Sequence, residues 1–293
     1  MEKVGVVSML VVWSIFILNS LHGACELNAE GESLYHFKKQ CDPNNAFSNW
    51  DETSADPCGR CDLGSMSLSG ELSPELGKLA KLNTLVISNN TIAGKIPEEF
   101  GGLANLKNLD LSMNFLNGTI PRTFFKLTKD LSENAIQDNI SEFGSLTNLR
   151  SLNLSTNIFD GEIPESLGQL QNLLTLNLSK NAIFDSIKDE IGNFTNLVNL
   201  DLSINAFYGE IPESLGQLSN LAILRLSDNV FEGPISANFI NLPKLDVLDL
   251  SENNLNGTLP EWNGKQREMT SMDLRGNHYL EGSCTNVTCV KPN

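Results

Sequence analysis

Gly161-Glu-Ile-Pro-Glu-Ser-Leu-Gly-Gln-Leu170 returns unchanged at Gly209 to Leu218, 48 residues further along the chain. That distance is two copies of a 24-residue unit, so internal repetition is the first thing to establish. Working outward, the spelling L-x-x-L-x-L-S-x-N ends at Asn90, Asn114, Asn134, Asn157, Asn181, Asn205, Asn229, Asn253 and Asn277. The intervals are 24 residues, except 20 before Asn134 and 23 before Asn157. A degenerate copy ending at Met66 opens the array and makes ten units.

Each unit has a physical reading. In Leu197, Leu200 and Leu202 the alternating leucines point one way, which makes a short strand. Asn205 follows as the strand ends, where a buried amide can bond backbone groups of adjacent coils. Phe207 returns to the core; Gly209 is expected to break regularity, and Pro212 to end any ladder because it lacks an N–H. Leu215 and Leu218 pin the return segment. One unit cannot bury its own leucines, so copies must stack in parallel. The expected fold class is an α/β repeat: a curved solenoid with a parallel concave β-sheet and a 3-10 or irregular convex side.

Leu106 to Leu127 and Leu197 to Leu218 follow L-x-x-L-x-L-S-x-N-x-L-x-G-x-I-P-x-x-L-G-x-L almost throughout. In this the chain resembles the plant-type extracellular leucine-rich-repeat proteins, which include receptor-like proteins and receptor-kinase ectodomains. Asp42-Pro-Asn-Asn45, Trp50-Asp51 and Pro57-Cys58 resemble that family's N-terminal cap, with the spelling closest to somatic-embryogenesis-type co-receptors. The chain departs from the family in several places. Only Cys58-Gly-Arg-Cys61 remains of a longer cap motif, and Ile187-Lys188 and Ile235-Ser236 lack the proline. The unit at 115–134 has lost four residues, which puts Lys126 and Lys129 where leucines belong. An unpaired buried ammonium is costly, so a bulge is expected around Leu127 to Leu131. Kinase motifs do not occur in the chain.

The organisation expected is a signal peptide at 1–24, a cap at 25–61, the repeats at 62–277 and a C-terminal cap at 278–293. Lys3, an apolar run from Val4 to Leu18, and Gly23-Ala24 support the signal reading. That run is too short to span a bilayer by itself. The mature chain is therefore expected to be secreted, without membrane insertion; an uncleaved signal would anchor it instead. Cys25, Cys41, Cys58 and Cys61 precede the regular units, and Cys284 and Cys289 follow them. In an exported chain this reads as stapled caps. Cys284 with Cys289 is one pairing, and the four N-terminal cysteines leave three connectivities open. Sequons stand at Asn89, Asn117, Asn139, Asn153, Asn177, Asn193, Asn256 and Asn286.

The 20 basic against 36 acidic residues argue against nucleic acid, which calls for a basic footprint. No G-x-S-x-G, H-E-x-x-H, P-loop or G-x-G-x-x-G is present, so neither catalysis nor a cofactor is expected. Between the second and third strand leucines the outward column reads Asp62, Val86, Asp110, Asp130, Asn153, Asn177, Asp201, Arg225, Asp249 and Asp273. Arg225, beside the apolar Ile223 and Val247, interrupts this acidic surface. Asp201, Ile223, Arg225, Val247, Asp249 and Asp273 are the expected partner site, since arginine and exposed apolar groups favour hot spots. The resemblance implies a recognition protein for a peptide, a wall-derived ligand or a receptor-kinase ectodomain, in defence or development. The alternatives are an inhibitor like those of polygalacturonases and a truncated receptor-like product.

Overall fold

The computed structural model describes residues 60–121, 128–138, 140–145, 149–260, 269–282 and 289–290. The signal and most of the N-terminal cap lie outside these residues, as do Cys25, Cys41, Cys58, Cys284, Lys126, Asn139 and Asn286. Among the described residues the main sheet has eleven strands, all parallel and in chain order, from Arg60–Asp62 to Cys289–Val290. Most are only three residues long. Leu200 stands in register with Leu176 on one side and Leu224 on the other, and all three are fully buried. The leucine columns inferred from the repeat are thus the core of the molecule. Further in, the Phe207 and Phe231 rings stack with centroids 6.0 Å apart and planes 6° from parallel.

From Asn90 to Asn277, each asparagine stands four residues past the end of its strand. Asn205 Nδ2 donates to the carbonyls of Leu178, Leu202 and Ser203 at 3.0–3.1 Å, and Oδ1 accepts from Ile183 N at 3.1 Å. Leu178 and Ile183 belong to the preceding unit, so the amide ties neighbouring coils as expected. The residue before each asparagine turns the chain through the left-handed region, including Met113 at φ 54° and Ile204 at φ 55°. That conformation costs an L-residue roughly 1–2 kcal/mol. It aims the strand-end carbonyls at the amide.

Regularity continues where Gly209 was expected to break it. Ala206–Glu210 is a strand of a second parallel sheet, and Gly209 sits inside it at φ +76°. Glycine tolerates this angle without strain, so the chain bends and the ladder goes on. The second sheet comes as four strands, Ser69–Glu71 to Ala135–Ile136, and six, Asp160–Gly161 to Tyr279–Glu281. Short 3-10 helices fill the return side, as in Glu165–Gln169 and Glu213–Gln217. Pro212 sits at the N-cap of the latter, so it starts a helix as well as ending a ladder. The helices stack very closely: a Cβ on Gly77 would lie 2.0 Å from Glu99 O in the next unit.

The shortened unit is also more regular than expected. Thr128–Asp130 is an unbroken strand, with Lys129 opposite Leu109 on one side and Leu152 on the other. The deletion is absorbed outside the ladder, because five register partners on two sides hold the strand more firmly than one side chain can distort it. Cys61 differs as well. It stands opposite Leu85 in the core column, 3% exposed and with a free thiol, rather than in a cap staple. Burial, with Asp62 beside it, pushes that thiol up to about 12. At the other end, Cys289 stands opposite Met272 in the same column, so the C-terminal segment adds an eleventh strand.

Two aspartates occupy the glycine position of the second sheet, with opposite results. Asp138 is not in a positive-φ conformation; its carboxylate accepts from Ile120 N at 2.8 Å, and the four-stranded part of the sheet ends at Ile136. Asp185 instead takes φ 130°, between Gly161 at 82° and Gly209 at 76°, and the ladder passes through it. Its buried carboxylate lies 2.9 Å from Lys188 Nζ, and its Oδ1 accepts from Tyr208 at 3.3 Å. Burial works to raise this carboxyl, but the contacts from Lys188, Ser186 N and Tyr208 outweigh it and hold it below its ordinary value.

Two predictions follow from these bonds. Asn253→Ala should cost ~2 kcal/mol or more, since it orphans the Phe231 amide and the carbonyls of Leu226 and Leu250, and each unmet buried group costs ~1–3 kcal/mol. A urea-unfolding difference below ~0.5 kcal/mol would show that the asparagine ladder does not hold the coils. Asp185→Gly should stabilise the protein by ~1 kcal/mol at pH 7, because backbone strain of ~1–3 kcal/mol exceeds a part-exposed ion pair of ~0.2–1 kcal/mol. The Asp185 carboxyl is depressed in the fold, so its pair contributes fully above the ordinary carboxylate range, near pH 4, and is lost as pH falls below that range through the depressed value. The advantage of the glycine variant should therefore widen towards acid. A fall in the urea midpoint at both pH 7 and acid pH would mean that the polar contacts outweigh the strain.

Candidate functional site

The outward face of the main sheet carries two columns, each in register. One runs Asn153, Asn177, Asp201, Arg225, Asp249 and Asp273; the other Ser151, Thr175, Asn199, Ile223, Val247 and Ser271. The expected partner residues are thus neighbours on four adjacent strands.

Their chemistry is less uniform than their placement. Asp201 Oδ1 accepts from both N and Oγ of Ser203, at 3.1 and 2.7 Å. Asp110, Asp130 and Asp249 repeat the arrangement with Ser112, Ser132 and Ser251. Asn153 and Asn177 do the same with Ser155 and Ser179. The column that looks like an acidic binding surface therefore caps its own strand ends. These carboxylates are half-buried and committed.

Arg225 is the exception. It stands between Asp201 and Asp249, yet the ion pair formed is with Asp201 alone among the described residues, at 4.0 Å. Both aspartates keep the same serine cap, so the side to which the guanidinium swings, and not the cap, sets the pairing. The Arg225 side chain is 38% exposed, so the pair is loose and water-screened. At the far edge Asp273 is taken up by Arg275, whose Nη2 reaches Oδ2 at 2.6 Å and whose Nε reaches Oδ1 at 3.0 Å. These bonds outweigh burial and hold the Asp273 carboxyl below its usual range.

Two residues escaped the sequence reading. Asn199, beside Ile223, has a buried Oδ1 with no hydrogen-bond partner among the described residues. An orphaned acceptor is worth explaining, and only the fold reveals it. Arg275 was legible, because it replaces the strand-end serine seen at Ser203, Ser227 and Ser251. Among the expected sugar sites, Asn153 Nδ2 donates to Asp130 at 3.0 Å and Asn89 Nδ2 to Ser65 at 2.9 Å. Asn117 and Asn256 are exposed or part-exposed strand positions of the second sheet. Asn193 ends a 3-10 helix. The described residues contain no grouping of three or more metal-ligating side chains. No helix among them is long and apolar enough to cross a membrane.

Comparison with known proteins agrees with this architecture. A leucine-rich-repeat N-terminal domain matches residues 27–60, and leucine-rich repeats match 81–103, 105–127, 148–170, 196–218 and 244–265. Leucine-rich repeat protein 2 of Arabidopsis thaliana is 36% identical over 90 residues, which are 26% of this chain and 41% of that protein. Among solved structures, the Arabidopsis receptor kinase HAESA, in complex with the peptide hormone IDA and the co-receptor SERK1, aligns with TM-score 0.70 and 32% identity. That alignment covers 76% of this chain and 38% of the receptor. A plant ice-binding protein aligns with TM-score 0.67 and 26% identity, covering 83% of this chain and 84% of the other. The chain thus spans well under half the length of its curated relatives and of the receptor. With a cap domain followed by units stacked strand on strand, it belongs to the leucine-rich-repeat proteins.

Proposed function

We propose that the protein is an exported, non-catalytic recognition module that binds a peptide or a protein segment on the outward face of its C-terminal main-sheet strands. The observation that carries this reading is Arg225. It alone breaks the capped Asp and Asn run between Asp110 and Asp273, and Ile223 and Val247 stand beside it in register. A weakly held guanidinium and an apolar pair offer a ligand a cation and a dry contact. That set suits a peptide with a carboxylate and an apolar side chain. The likeness to a hormone-binding ectodomain supports the same reading. Sugars on Asn153 or Asn177, adjacent on the sheet, would cover its middle and direct a partner towards Arg225. Cysteine staples in the caps, at Cys284 with Cys289 and among the N-terminal cysteines other than Cys61, belong to this exported reading.

The near full-length match to an ice-binding protein favours a second reading, adsorption to ice. Thermal hysteresis in the purified protein would support it, whereas Arg225 has no bearing on it.

The test of the peptide reading uses a random phage-displayed peptide library selected on glycosylated, plant-expressed protein. Selected peptides should lose ~30-fold or more in affinity on Arg225→Ala, the effect of a hot spot worth ~2 kcal/mol. Melting should barely change, since the exposed pair with Asp201 is worth ~0.2–1 kcal/mol. Peptides that bind the variant as well as the parent would remove Arg225 from the site. A large melting shift would make its role structural.

A further inference from the structure

The two identical decapeptides at 161–170 and 209–218 flank a copy, 185–194, that keeps only Ile187 and Gly192. Because its neighbours are the same sequence, they serve as an internal control for what this copy has changed. Its helix Asp189–Asn193 and the preceding helix Glu165–Gln169 border a groove of about 790 Å³. The polar side chains around it include Glu165, Gln169, Gln171, Asn172, Glu190 and Asn193. Gly168 forms part of its wall, and a Cβ there would come within 2.8 Å of Glu190 O and 3.3 Å of Asn193 Nδ2.

Where the flanking copies carry Gln169 and Gln217, this one carries Asn193, followed by Phe194 and Thr195. That change creates a sequon at the groove. Asn193 and Thr195 are exposed, while Phe194 is 1% exposed and anchors the turn between them. Thr195 N donates to Asn193 O at 2.8 Å. Unlike the amides of Asn153 and Asn89, Asn193 Nδ2 makes no hydrogen bond to the described residues.

We propose that Asn193 carries an N-linked glycan whose first two sugars are seated in this groove. The proposal rests on the reading that the chain is exported. In the attachment step the amide nitrogen attacks the anomeric carbon of a lipid-pyrophosphate-linked oligosaccharide. The C–N bond forms and the C–O bond breaks. The pyrophosphate leaves with the electron pair, and the amide gives one proton to a base of the transferase. N-acetylhexosamines then meet partners suited to them: the Gln169 and Gln171 amides for the acetamido group, and the Glu165 and Glu190 carboxylates as acceptors for hydroxyl protons. The glutamine amides and the two carboxylates give the groove the hydrogen-bonding partners that a sugar calls for. Seated sugars would bridge two units across the helix side.

The test expresses the full chain in a secretory host held to high-mannose glycans, with site occupancy read by mass spectrometry. Endoglycosidase H cleaves between the first two sugars. On native protein it should act roughly tenfold more slowly at Asn193 than at the exposed Asn256, as for about 1.4 kcal/mol of seating. After denaturation the two rates should match. Asn193→Gln, the residue of both flanking copies, should lower the melting temperature more than Asn256→Gln does; Thr195→Ala, which keeps the asparagine, should reproduce the loss. A bare Asn193 in a protein whose Asn117 or Asn256 is occupied would overturn the proposal, and so would equal native rates at Asn193 and Asn256. A chain retained inside the cell and wholly unglycosylated would overturn the export reading and this proposal with it, an outcome told apart by where the protein is found.

Discussion

Strands of three residues cannot stand alone, and everything in this molecule depends on how each coil bonds to the next. The asparagine beyond each strand end is the connection that makes this possible. Asn205 reaches one carbonyl and one N–H of the preceding unit and two carbonyls of its own. Nine such amides, from Asn90 to Asn277, turn a series of left-handed turns into a continuous column of satisfied backbone groups. The leucine columns supply the apolar burial, but they are greasy and would tolerate sliding. The amides fix the spacing. Stability is then a property of neighbouring pairs, as expected for a quasi-one-dimensional array.

The same requirement shapes the outward face. Aspartate and serine at successive outward positions form a local cap, with Asp Oδ1 accepting the serine Oγ at 2.6–2.7 Å in four units. Much of the acidic character of the face is therefore spent on the protein's own backbone. What remains for a ligand is concentrated where the cap pattern lapses. Arg225 cannot accept from Ser227, and Ile223 and Val247 present apolar surface beside it. A binding site in such a protein is written as a departure from the repeat.

Departures are equally informative on the other faces. Asp138 and Asp185 both replace a glycine, yet one ends a ladder and the other is forced through a φ of 130°. The difference lies in what each carboxylate finds. Asp138 bonds a backbone amide of the previous coil, whereas Asp185 has Lys188, in place of a proline, and Tyr208 from the next coil. A conformation that an isolated aspartate would avoid is held by an ammonium on one side and a phenol hydroxyl on the other.

The sequence by itself determined the unit length, the leucine columns, the asparagine bonds and the identity of the residues facing outward, because each depends on a period that the chain repeats many times. It also placed Asp201, Arg225 and Asp249 side by side, since parallel units of equal length leave one register. Only the tertiary structure decided matters of competition. A single glycine was expected to break the chain, but its neighbours make it a bend within a second sheet. Lys129 was expected to distort its strand, but backbone partners on both sides hold it in the ladder. Cys61 reads as a cap cysteine by its spacing, and the pairing opposite Leu85 makes it part of the core. Arg225 has an aspartate on each side in sequence register, and in the fold its guanidinium swings to Asp201. In each case local spelling proposes a conformation, and the hydrogen bonds available from the adjoining coil select the one that forms.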